Sequence, residues 1–270
     1  MPDPVLIGVD FSSRPTRRKP IVVAHGRVAA AEVSLSALER FDTLTAFGDW
    51  LSRPGHWVGG FDFPFGLPRE LVEHLGWPTA WRDCMQHYAA LSRAEIRDTF
   101  AAFCAARPAG GKFAHRACDR PAGSSPSMKW VNPPVAYMLQ AGVPLLLAAG
   151  VHLPALHDGD TRRIALEAYP GLLARELIGA RSYKSDDPAK HTDERLLARI
   201  AIVDALQEGR TRLRLRLQLH AGQREVLLDD RSGDALDAVL CLVQAAWSTT
   251  QRAHGLPPRV DPLEGWIVSA

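Results

Sequence analysis

Val5-Leu6-Ile7-Gly8-Val9-Asp10 is the stretch whose reading decides the fold. Its apolar residues include the β-branched Val5, Ile7 and Val9, and the run stops at an acid followed by the turn-like Ser12-Ser13-Arg14-Pro15. Such a segment reads as a buried strand that delivers a carboxylate to its C-terminal end. Residues 20–24 and 28–33 read as a second and a third strand, with His25-Gly26-Arg27 as the turn of a hairpin. Ser34-Leu35-Ser36 can cap a helix over about 37–51, because Leu38, Phe41, Leu44 and Phe47 recur at helical spacing. A further strand over 57–61 ends at Asp62, where Phe63-Pro64-Phe65-Gly66-Leu67-Pro68 forces a loop.

Further along, the pattern turns mostly helical. Helical pieces are expected over about 69–75 and 80–106, and the Gly-, Pro- and Ser-rich stretch 108–127 reads as a long loop. A helix over about 133–149 precedes a strand at 163–168, which Tyr169-Pro170-Gly171 closes. Helices follow, one of them over 191–207. The segment 234–248 is a strongly apolar helix with its acids at the N-terminal end, and 265–268 is a short terminal strand. This order predicts one α/β domain over residues 1–270. Its sheet is mixed, antiparallel in the first three strands and parallel later, flanked by helices, with a helical and loop insertion at about 69–132.

Composition narrows the class. The chain is 46% hydrophobic and 23% charged, as ordinary globular chains are. No apolar run approaches the roughly 20 residues of a membrane helix, so no membrane association is expected. The N-terminus lacks the basic head and apolar run of a secretory signal. Cys84, Cys104, Cys118 and Cys241 show no zinc-ligand spacing. A reducing cytoplasmic location is the expectation. The net charge of +2 neither demands nor excludes a nucleic-acid partner.

The chemistry is expected in the acids. Asp10 and Asp62 each end a strand, and Asp234 and Asp237 lie one helical turn apart near a helix start. Glu167 ends another apolar strand. Open α/β sheets place their sites at such strand ends. Carboxylates that converge repel one another unless a cation neutralises them, and hard oxygen ligands suit Mg²⁺ or Mn²⁺. Two such ions about 3.5–4 Å apart can clamp an in-line phosphoryl displacement. Each acid also suits a plain structural role. Asp10 and Asp62 can cap turns, Asp234 after Gly233 can cap a helix, Asp237 suits the helix dipole, and Glu167 can be a surface acid.

Six motifs occur in order. They are Gly8-Val9-Asp10-Phe11-Ser12, Phe61 to Pro68, Glu167-Ala168-Tyr169-Pro170-Gly171, Tyr183-Lys184, Asp234-Ala235-Leu236-Asp237-Ala238 and Glu264-Gly265-Trp266-Ile267. Together they resemble the family called domain of unknown function 429, a predicted nuclease family with a ribonuclease-H-like fold, over about residues 5–268. The resemblance implies a ribonuclease-H-like sheet and a metal-dependent phosphodiester site. It carries Asp10, Asp62 and Asp237 over as the acids of that site; Asp234 and Glu167 are additional candidate metal ligands.

Arg116, Arg120 and Lys129 in the long loop, and Lys184 after Tyr183, are candidates to meet a substrate phosphate. Arg212, Arg214 and Arg216 alternate with leucines, as in a strand with one arginine face. The functional expectation is a metal-dependent nuclease or phosphodiesterase acting on nucleic acid or a small phosphate ester. Two alternatives stand beside it: an ATP-using phosphotransferase of the actin and sugar-kinase type, and a non-catalytic binding protein that keeps the fold. The chain has no Walker-type glycine loop and no second copy of the pattern.

Overall fold

The computed structural model describes residues 3–270. Strands β1 (Val5–Asp10), β2 (Ile21–Ala29) and β3 (Glu32–Phe41) form an antiparallel meander. Helix α1 (Leu44–Leu51) leads into β4 (Trp57–Phe61), which pairs parallel with β1. Helices α2 (Arg69–His74), α3 (Trp81–Ala90), α4 (Arg93–Ala105), α5 (Asp119–Ala122) and α6 (Val135–Ala148) fill the next stretch. The two-residue β5 (Val151–His152) and β6 (Asp160–Glu167) follow, then α7 (Pro170–Ile178) and α8 (Asp193–Gln207). The three-residue β7 (Arg216–Gln218), α9 (Ala221–Asp229) and α10 (Asp234–Thr249) complete the order.

The strands make one seven-stranded sheet in the order β5-β6-β4-β1-β2-β3-β7. Its first three strands are antiparallel, and its later pairings are parallel. This mixed α/β sheet is consistent with the expected ribonuclease-H-like fold. One apolar core, with Ile7, Val9 and Phe61, lies between one face and α1–α6; a second, with Leu6, Val58 and Leu242, lies between the other face and α7–α10.

Glycines set how closely α10 approaches. A Cβ on Gly8 would stand 2.0 Å from the Ala238 carbonyl oxygen, and one on Gly60 would stand 2.6 Å from that of Cys241. The backbone of α10 therefore rests directly on β1 and β4, where no side chain separates the layers. Fourteen of its sixteen residues are buried.

Several local expectations change. The first hairpin does not turn at His25-Gly26-Arg27, because β2 runs through to Ala29 and reverses at Ala30 and Ala31. Gly26 is needed instead for packing: a Cβ there would meet Ser34 backbone and the Leu242 side chain. The helix expected from residue 37 begins at Leu44, and Leu38 and Phe41 belong to β3. Thr43 supplies the cap, its hydroxyl accepting from the Ala46 amide at 3.1 Å. The helix expected over 80–106 breaks in two at Leu91, where Ser92 starts α4 with a capping box. The arginine alternation at 212–216 is a turn with Arg214 at a φ of 54°, and only Arg216 enters β7. The terminal strand reduces to a single bridge between Ile267 and Glu167.

Candidate metal centre

Side chains alternate across a strand, so residues two apart share a face. Gly8 and Asp10 therefore share one face of β1, and Gly60 and Asp62 share the same face at β4. The strands pair Gly8 with Gly60, so Asp10 and Asp62 leave adjacent strands side by side. That face carries α10, and the close seat on the two glycines brings the first turn of α10 to the strand ends. Asp237 lies in that turn. Carboxylate oxygens of Asp10, Asp62 and Asp237 lie within 4.8 Å of one another.

Two lysines reach the cluster from outside the sheet. The Lys184 ammonium donates to Asp237, and the Tyr183 hydroxyl donates to the other oxygen of that carboxylate at 2.5 Å. Lys19 donates to Asp234 at 2.6 Å and to Asp186 at 2.7 Å. Asp234 is thus one step removed from the three clustered acids, and the N-cap of the helix is Gly233.

Electrostatics follow from burial and crowding. Burial first, then Asp234 and Asp237, push the Asp10 carboxyl well above its ordinary range. Burial, with Asp237 next, pushes Asp62 up to about 7, although Lys184 and Lys19 pull it down. Burial also raises Asp234, against the pull of Lys19. Burial works against the charge of Lys184, but Asp237, Tyr183, Asp10 and Asp62 more than offset it and hold its ammonium protonated.

Glu167 is not part of this cluster. Its strand pairs it with Phe61, so it shares the face of Phe61 and points away from α10. There it is held by Arg116, whose guanidinium donates to both carboxylate oxygens at 2.7 and 2.6 Å. Arg116 also binds Asp119 at 2.9 Å and is 2% exposed. The Phe65 amide donates to Glu167 at 2.9 Å. Glu167 and Arg116 therefore clamp the loop after Asp62. Glu264 assists from the C-terminal segment, accepting from the Arg69 and Ala117 amides at 2.8 and 2.9 Å. These contacts correct two expectations: Glu167 is turned from the acids by its register, and Arg116 has no free donor face for a substrate. Arg120 is exposed on a separate hollow with Arg107 and His115, and neither it nor Lys129 lines the acidic cleft.

A cleft of about 420 Å³ opens over Asp10 and Asp62, with Lys19, Tyr183 and Lys184 on its wall. Sequence reasoning missed Lys19, Tyr183 and the cleft arginines Arg175 and Arg181. One signal was present: the chain has five lysines, and two of them, Lys19 and Lys184, bind acids of α10.

A family model described as "Protein of unknown function (DUF429)" matches residues 8–261, nearly the whole chain. The chain belongs to the DUF429 family. Three of its motifs meet in this site: the DUF429 chain folds Gly8–Asp10, Gly60–Asp62 and Asp234–Asp237 onto one face of one sheet. No curated protein and no solved structure matches the chain.

Proposed function

We propose that this DUF429 protein is a metal-dependent phosphodiester hydrolase, a nuclease in the broad sense, that uses Mg²⁺ or Mn²⁺. The observation that carries this reading is the convergence of three carboxylates within 4.8 Å, two of which, Asp10 and Asp62, line a cleft. The donor set fits a divalent ion. It is all oxygen, and when the four acids are ionised, Asp10, Asp62, Asp234 and Asp237 outweigh Lys19 and Lys184 by two negative charges. Asp10, Asp62 and Asp237 would hold the ion. When bound, a divalent cation supplies neutralisation of phosphate charge and acidification of water.

The chain's own residues do the rest. Asp62, side by side with Asp10 at the strand ends, would hold the ion or orient the attacking water. Lys184 neutralises part of the Asp237 charge and lies on the cleft wall, where it can meet a phosphoryl oxygen. The clamp of Arg116 on Glu167 fixes the loop that follows Asp62.

One observation favours a second reading. Lys184 and Tyr183 already occupy Asp237, as they would in an idle site that serves only recognition. Hydrolysis of bis(p-nitrophenyl) phosphate with Mn²⁺ separates the two. The wild type is expected to turn over, and Asp10→Asn to lose at least about 100-fold while staying folded, as loss of an interaction worth a few kcal/mol in the transition state does. Equal rates in both would place the chemistry elsewhere, and no turnover in the wild type would favour the idle site.

A further inference from the structure

We infer that Lys184 is a resident counter-cation of the acidic cluster, and that a divalent ion reaches Asp237 by displacing its ammonium into the cleft. This exchange presupposes the metal reading of the site; what it adds is the way Asp237 is held. Asp10 and Asp62 line the cleft, whereas Asp237 is fully buried and does not. Both Asp237 oxygens are taken within the protein. One accepts from the Tyr183 hydroxyl at 2.5 Å, and the other accepts from the Lys184 ammonium. Of the three clustered acids, Asp237 is thus the one that stands behind a lysine.

The local structure places this lysine and leaves its end free to move. Its backbone is pinned on both sides: the Tyr183 carbonyl accepts from the buried Arg199 guanidinium at 2.7 Å, and the Ser185 amide donates to the Arg231 carbonyl at 3.1 Å. Gly233, which starts α10 at a φ of 78°, makes room for the stem, since a Cβ there would stand 2.6 Å from Lys184 Cβ. The flexible four-carbon stem is therefore the part that can swing. Lys184 lines the cleft and its side chain is 38% exposed, so the swing leads into the cleft and needs no unfolding. Charge drives the exchange. The tethered ammonium brings one positive charge to the clustered carboxylates, and a divalent ion brings two. A monovalent ion brings no more than the ammonium already there, so the same contact selects against Na⁺ and K⁺. Tyr183 keeps its own oxygen of Asp237, which leaves one oxygen for the ion.

The test reads the lysine without turnover. The wild type is acylated on its lysines with and without saturating Mn²⁺, and the labelled positions are mapped by mass spectrometry. Labelling of Lys184, relative to the exposed Lys112, is expected to rise severalfold with the ion, while Lys19, bonded to Asp234 and Asp186, keeps its rate. Calorimetric titration of Mn²⁺ adds the affinity. Lys184→Met, which keeps an unbranched stem without the charge, is expected to bind at least about tenfold tighter than the wild type, because the ion no longer competes with an ammonium for Asp237. Unchanged labelling of Lys184 at saturation, or equal affinity in Lys184→Met, overturns the exchange while the metal site stands. A rise of equal size at Lys19 would trace the effect to the field of the ion and overturn it too. Failure of both the wild type and Lys184→Met to bind Mn²⁺ would instead remove the metal reading, and the exchange with it.

Discussion

Asp62 shows how one residue links burial to chemistry. Its carboxyl rises from 3.8 to about 7, because burial and Asp237 disfavour its charge. A carboxyl raised on folding stabilises the metal-free protein most below its unfolded pKa, and that contribution is lost as pH rises through the folded value. The metal-free protein is therefore expected to lose stability between about pH 4 and 7, a fall that Mn²⁺ at saturating concentration removes. Because the ion must displace that proton, its apparent affinity is expected to rise by up to about tenfold per pH unit below 7 and to level off above it. Thermal melts across pH, with and without Mn²⁺, check both. Glu167 makes the opposite case. Glu167→Gln is expected to cost about 3 kcal/mol through the Arg116 pair and to leave Mn²⁺ affinity unchanged, since breaking a buried ion pair destabilises strongly. An affinity loss equal to that of Asp10→Asn would return Glu167 to the site.

Among the elements, α10 against β1 and β4 decides whether a site exists. The seat of α10 depends on Gly8 and Gly60, whose places in the sheet leave no room for a Cβ against helix backbone. Gly8→Ala is expected to cost at least about 2 kcal/mol by overpacking and to lower Mn²⁺ affinity in the protein that still folds, because Asp237 rides on the displaced helix. Denaturant unfolding and metal titration of the same sample measure both; full affinity at reduced stability would separate the helix seat from the site. Element type was legible wherever periodicity was long or a strand ended at an acid. The residue patterns at Val5–Asp10, Trp57–Phe61 and Asp234–Thr249 are by themselves those of a strand, a strand and a helix, and the fold agrees. The meander was harder. Gly26 carries a turn signal but serves packing against Leu242, whereas the real reversal at Ala30 uses a residue with no turn preference and a φ of 54°. Leu38 and Phe41 fit helical and strand spacing alike, and Thr43 alone marks where the helix starts.

The whole molecule joins acids far apart in sequence and separates acids that resemble one another. Sequence order placed Asp10, Asp62 and Glu167 at strand ends equally. Only the register, pairing Phe61 with Glu167, turns the third to the opposite face. Nothing local marks Arg116 as buried; it is held by Asp119 close by and by Glu167 and the Glu264 carbonyl from distant segments. Lys19 and Lys184 enter through loops, and their closeness to the acids depends on the assembled sheet and helix. Among the described residues, no helix is long and apolar enough to cross a membrane.

The central claim is that Asp10, Asp62 and Asp237 form a divalent-metal site. Isothermal titration of Mn²⁺ into the wild type and into Asp10→Asn at pH 7.5 tests it most directly. Saturable binding in the wild type, weakened at least about tenfold in the folded variant, is the predicted result, as expected for loss of one charged oxygen ligand. Binding that is absent from the wild type, or unchanged in the variant, would contradict it and leave the acids to their lysines.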